Sequence, residues 1–232
     1  MRALLDALRA ARPHLPEQAA RDLARLFDDD ELLSRLAARL TSFGRDGVPE
    51  RHPPPYFHGE CTPPLAEAFA AFSGAVAAWL AAPESGDLPA RFAAALSSAK
   101  MRDVLVMLGQ RFTPASLTDA RALPPSRARL LEAAARPHSP PDRLSVAGRA
   151  LAKHAARAGG SFWGEVTGPS EQKNAAALAV LRRILDGATW WNTFGHFEHE
   201  TAFEARLPTG HGARWAHGGG EFIGFLEPFA DG

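Results

Sequence analysis

The chain has a single cysteine, only three lysines, no excess of charge of either sign and no long uninterrupted apolar run. With Cys61 alone, an intramolecular disulfide is impossible and a thiolate zinc site lacks ligands, so a reducing cytoplasm is the expected compartment. Lys+Arg and Asp+Glu both number 26, which removes any global electrostatic argument for nucleic acid or an anionic membrane as partner. The first residues place Asp6 and several arginines where a signal peptide needs an unbroken apolar core. The stretch 65–82 is apolar but contains Glu67 and is broken by Pro83, so it reads as a buried helix and not a membrane span. A soluble, cytoplasmic protein with no membrane partner is expected. Walker, Gly-x-Gly-x-x-Gly and Gly-x-Ser-x-Gly motifs are also missing, so His217-Gly218-Gly219-Gly220 is read as a hairpin turn and not as an esterase oxyanion loop.

What is present divides the chain in two. Residues 1–136 read as helices between proline-rich breaks: 2–10, 17–27, a helix capped within Asp28-Asp29-Asp30 and ended by Gly44, then 65–82, 90–110 and 126–136. Leu32, Leu33, Leu36 and Leu40 recur at helical spacing. The segment 44–64 is an irregular loop, because its prolines forbid helix interior and central strand alike. Residues 137–142 are the candidate boundary. Beyond it, 143–232 predicts helices at 145–158 and 170–186, followed by strands at 201–207, 213–216 and 221–226 joined by short turns. The expected fold is α+β: a mainly helical N-terminal half, then two helices packed on a small antiparallel β-meander.

The helix at 145–158 carries the strongest functional signal. At roughly 100° per residue, His154 falls near the centre of its apolar face, and Arg149, Lys153 and Arg157 form a basic stripe along one margin. No acidic residue lies between Arg149 and Gly164. In the next helix Ser170 is the expected cap, Lys173 sits at the edge of the buried face and Asn174 within it. Of the three lysines, Lys153 and Lys173 fall here and Lys100 does not. These residues predict a pocket for an anion, with Lys153, Arg157 and Asn174 binding, and His154 and Lys173 as catalytic candidates.

A second cluster, His196, Glu198, His199 and Glu200, offers imidazole and carboxylate donors suited to zinc or iron, with His211 and His217 able to complete a set. It matches no His-Glu-x-x-His helix, and in an extended chain His196 and His199 face opposite sides.

Lys153-His154-Ala155-x-Arg157, Trp163-Gly164, Lys173-Asn174, Gly210-x-Gly212-Ala213-Arg214-Trp215 and Gly224-Phe225-Leu226-Glu227-Pro228 together resemble a family of bacterial, plant and fungal proteins with no activity to carry over. The resemblance covers 145 onward. It implies that Arg214 and Glu227 belong with the cationic cluster, Arg214 as an anion donor, and that a histidine follows Asp231-Gly232, where this chain ends.

The functional expectation is binding of, with acid/base catalysis on, a small molecule bearing phosphate or carboxylate, with any cofactor unknown and no strong nucleic-acid signal. A metal-dependent hydrolase at His196, His199 and Glu200, and a non-catalytic interaction module, stand as alternatives.

Overall fold

The structure, a computed structural model, describes residues 2–139, 143–157, 162–198 and 200–229, with Arg157 described as backbone only. His199, the glycines at 159–160 and Asp231-Gly232 therefore lie outside the described residues. The chain forms two compact units: Met1–His52 with Cys61–Leu123, and Pro53–Glu60 with Pro124–Gly232.

The first unit is helical among its described residues: α1 (Arg2–Ala11), α2 (Glu17–Asp22), α3 (Ala24–Asp28), α4 (Asp30–Asp46), α5 (Leu65–Ala81), α6 (Leu88–Ser98) and α7 (Met101–Leu108). Asp29 caps α4 by accepting hydrogen bonds from the Glu31 and Leu32 N–H groups, and the leucines at 32, 33, 36 and 40 are buried. α4 runs through Gly44 and does not end there. A Cβ at Gly44 would lie 2.4 Å from Val76 Cγ1, so the missing side chain serves the close approach of α4 and α5. The helix expected over 90–110 is two, because Ala99 and Lys100 are extended.

The second unit contains α8 (Arg127–Ala135), α9 (Val146–Arg157), α10 (Ser170–Gly187), β1 (Trp190–His196), β2 (Glu200–Arg206), β3 (Gly212–Ala216) and β4 (Glu221–Leu226). The strands form one antiparallel sheet in the order β1-β2-β3-β4, a meander as the short turns predict. Helices preceding a C-terminal antiparallel sheet make the fold α+β. Ser170 opens α10 from within its first turn; Pro169 is the cap residue and no side chain caps it.

Two faces of the sheet differ in chemistry. An aromatic row of Trp191, Phe203, Trp215, Phe222 and Phe225 crosses the strands with ring centroids 5.3 to 6.0 Å apart. Trp215 is fully buried, and its Nε1–H donates to the Leu130 carbonyl at 3.0 Å, tying α8 to the sheet. On the opposite face Asn192, Glu204 and Arg214 sit in register on adjacent strands. The strap 53–60 returns to this unit from far upstream: Thr189 Oγ1 donates to the Pro54 carbonyl, and the Phe57 ring packs 4.7 Å from that of Phe229.

Candidate active site

α9 packs against β4, and this contact carries His154 to the carboxylate that follows the strand. His154 Nδ1 lies 3.0 Å from Glu227 Oε1, and the buried Trp163 donates its Nε1–H to the same oxygen at 2.8 Å. Burial pushes the Glu227 carboxyl up. The hydrogen bonds from His154 and Trp163, with the charges of His154 and His211, outweigh it and hold the group below the usual carboxylate range. An ionised carboxylate only accepts, so His154 carries its hydrogen on Nδ1 and presents Nε2 as the remaining nitrogen.

His211 approaches from the β2–β3 turn. Its Nε2 lies 3.7 Å from Glu227 Oε2, too far for a hydrogen bond, and its Nδ1 lies 3.1 Å from Thr209 Oγ1. Its ring stacks on Phe162 at 3.7 Å and 6°, and the Arg183 guanidinium sits 4.3 Å from the Phe162 centroid. Burial lowers the His211 pKa; the charges of Arg183 and Arg206 add to this, and Glu227 opposes it. The turn and the Glu227 segment fit closely, since a Cβ on Gly210 (φ 85°) would lie 3.0 Å from Pro228 Cα.

Arg206 fixes both pieces. Its Nη1 donates to the Gly210 carbonyl at 2.6 Å and the Glu227 carbonyl at 2.7 Å, while its Nε donates to Glu204 Oε1. Glu204 is buried and its other oxygen accepts from Arg214 Nε and Nη2 at 2.9 and 2.6 Å. One buried carboxylate thus holds two guanidinium groups, one of them clamping the His211 turn to the Glu227 backbone.

Between α9 and β4 runs a groove of about 390 Å³, lined on its polar side by His138, Arg149, Lys153, His154 and Arg214, and on its apolar side by Phe222, Ile223 and Leu226 among others. No carboxylate lines it among the described residues. Lys153 is exposed and makes no hydrogen bond or ion pair among them.

The predicted residues are therefore dispersed. Lys153, His154 and Arg214 line the groove, but Arg214 is already ion-paired with Glu204. Asn174 is a clamp: its Oδ1 accepts from the Ser145 N–H at 2.9 Å and its Nδ2 donates to the Arg143 carbonyl at 2.8 Å, fastening the entry to α9. Lys173 is not among the groove-lining residues. The Arg157 side chain and His199 lie outside the described residues. Of the metal candidates, only His196, Glu198, Glu200, His211 and His217 fall among the described residues. His196 and Glu200 face each other at the β1–β2 end of the sheet, whereas His211 belongs to the turn at the far end of β2. Among the described residues no group of three or more His, Cys, Asp or Glu side chains is placed to hold a metal ion. In the sequence Trp163 stands out only as a motif letter, and Glu227 joins the cationic cluster by resemblance alone, because it meets His154 across 73 positions of chain.

No curated protein and no solved structure matches the chain. Residues 134–227, less than half of it, match the family model of the CdiA C-terminal tRNase toxin domain. This similarity overturns the expectation of a small anionic ligand, the expected lack of a nucleic-acid partner, and both alternatives, the metal-dependent hydrolase and the non-catalytic module. A net charge of zero excludes only a global attraction and leaves room for a local basic patch: Arg143, Arg149, Lys153 and Arg157 follow one another with no acidic residue between them. The segment holding His154, Trp163, His211 and Glu227 is thus the one that is similar to a tRNase toxin domain.

Proposed function

We propose that the second unit is a ribonuclease domain that cleaves tRNA, with His154 as its proton-transfer residue. One observation carries this: the segment similar to a tRNase toxin domain, 134–227, contains the whole cluster of His154, Trp163, His211 and Glu227. RNA is cleaved when the 2′-hydroxyl loses its proton and attacks the neighbouring phosphorus, expelling the 5′-oxygen. His154 is suited to take that proton through Nε2, because the Glu227 carboxylate engages Nδ1 and stabilises the imidazolium that forms. Trp163 holds the carboxylate in place, and His211 acts behind it as a positioning residue. Lys153 and Arg149 supply positive charge for the phosphate, and the departing 5′-oxygen takes its proton from solvent in the open groove.

The test is incubation of the full chain with total tRNA, with and without divalent cations, followed by mapping of the cut ends. Cleavage leaving 2′,3′-cyclic phosphate and 5′-hydroxyl ends, lost in His154→Ala, is expected. Intact tRNA under every condition, or a His154→Ala protein as active as the parent, overturns the proposal.

A further inference from the structure

The groove between α9 and β4 has a shape and a chemistry that restrict which RNA can enter it. At about 390 Å³ it is the size of one nucleotide. An A-form duplex presents its bases already paired and stacked, and its major groove is too deep and narrow for side chains to read. The walls are divided. Arg149 and Lys153 project from successive turns of α9 on one side, and the half-exposed Ile223 with Leu226 lies on β4 opposite. Among the described residues β4 ends the sheet and pairs with β3 alone, so alternate backbone N–H and C=O groups along it lack a strand partner there. A cationic wall, an apolar wall and an open row of backbone donors and acceptors match, respectively, a phosphate, the face of a base and the edge of a base.

We infer that this groove seats one unpaired nucleotide at the cleavage point, with the scissile phosphate on Lys153 and Arg149 and the base against Ile223 along the free edge of β4. This rests on the ribonuclease proposal and narrows it: the cut falls in a single-stranded part of the tRNA and never inside a stem. Charge complementarity favours this occupant over a peptide added to the same strand edge. Arg149, Lys153 and His138 line the groove, and no carboxylate is among its described lining residues to meet a basic segment.

Two measurements separate this inference from the nuclease proposal. The first is the position of the cut in tRNA, repeated after a complementary oligonucleotide has been annealed over it. Cleavage confined to unpaired positions and blocked by annealing is expected; cleavage within a stem, or undiminished by annealing, overturns the groove assignment while leaving the nuclease intact. The second uses His154→Ala protein, in which turnover is prevented, and fluorescence anisotropy with a short single-stranded RNA and the same sequence as a duplex. The single strand is expected to bind at least tenfold tighter. Lys153→Ala in that background is expected to lower the slope of log affinity against log salt by about 0.7, the value for one phosphate contact on a single strand. Ile223→Glu is expected to weaken binding at least tenfold. Equal affinity for strand and duplex, or an Ile223→Glu protein that binds as the parent does, refutes the inference. If the parent protein cleaves nothing yet binds the single strand selectively, the nuclease proposal fails and the groove assignment stands.

Discussion

Glu204→Gln removes one charge from the buried face of the sheet and tests whether that charge supports the site. In the folded protein the carboxylate receives Arg206 Nε on one oxygen and Arg214 Nε and Nη2 on the other. The Glu204 and Arg206 side chains are 3% and 6% exposed, so water cannot replace the lost charge for Arg206; Arg214, 31% exposed, is partly rescued by solvent. Glutamine keeps the shape but turns an amide NH₂ toward a guanidinium N–H. Breaking a buried pair from one side costs about 3–5 kcal/mol, a large part of the roughly 5–15 kcal/mol that holds a typical domain folded. With an m-value of about 2 kcal/mol per molar urea, the unfolding midpoint should fall by about 2 M. Tryptophan fluorescence reads this selectively, because Trp163, Trp190, Trp191 and Trp215 lie in the second unit and only Trp79 in the first. Cleavage should fall with stability, since Arg206 also holds the Gly210 and Glu227 carbonyls. A Glu204→Gln midpoint within about 0.3 M of the parent would refute the reasoning, because a buried arginine that tolerates loss of its counter-ion does not depend on it.

Glu227→Gln should lower the rate of tRNA cleavage by about 10²–10⁴, the usual range for disabling acid/base catalysis, with little effect on RNA affinity; unchanged turnover in a gel assay would dissociate Glu227 from the chemistry. Asn174→Ala should cost about 2 kcal/mol, because the Ser145 N–H and the Arg143 carbonyl each lose a partner, and should leave RNA affinity unaltered. Weakened RNA binding at full stability would instead make Asn174 a ligand-binding residue. Stability should also fall in mild acid. His211 has a folded pKa below its unfolded value of about 6.5, so the unfolded chain binds the proton first and stability is lost as pH drops from there through the folded value. The Glu227 carboxylate adds a contribution that is present above about pH 4.5 and lost as pH falls through its lowered folded value. Urea midpoints from pH 8 to pH 5 should show the first loss in the parent and a smaller one in His211→Asn.

Much of the fold could be read from period and punctuation. The strands expected over 201–207, 213–216 and 221–226 correspond to β2, β3 and β4, because alternation and glycine turns are local signals. β1 gave no such signal: Trp190, Trp191, Asn192 and Thr193 are all buried, so the alternation that marks a half-exposed strand is missing. Gly44 misled for the opposite reason, since its purpose lies in α5 and not in the backbone of α4. In the site, His154 was conspicuous as a polar residue on an apolar face. Asn174 was equally conspicuous, yet its partners are backbone groups at Arg143 and Ser145 that no helical projection contains. Glu204 was hidden within an alternating strand, where a carboxylate on the polar face is ordinarily solvated; that it is buried between two arginines follows only from the pairing of β2 with β3.

The strap at 53–60 has a consequence for how the second unit is made. The Phe229 ring is bounded by Phe57 from the strap, Trp190 from β1 and the Arg206 guanidinium, with centroid distances of 4.7, 5.8 and 3.9 Å. During synthesis the strap emerges from the ribosome long before the strands it covers, and must wait for α8 to β4 before it finds its place. Final closure around Phe229 is therefore a late, long-range event, slow relative to the hairpins that precede it. A fragment beginning at Pro124 would contain the whole sheet and lack the ring that packs against Phe229.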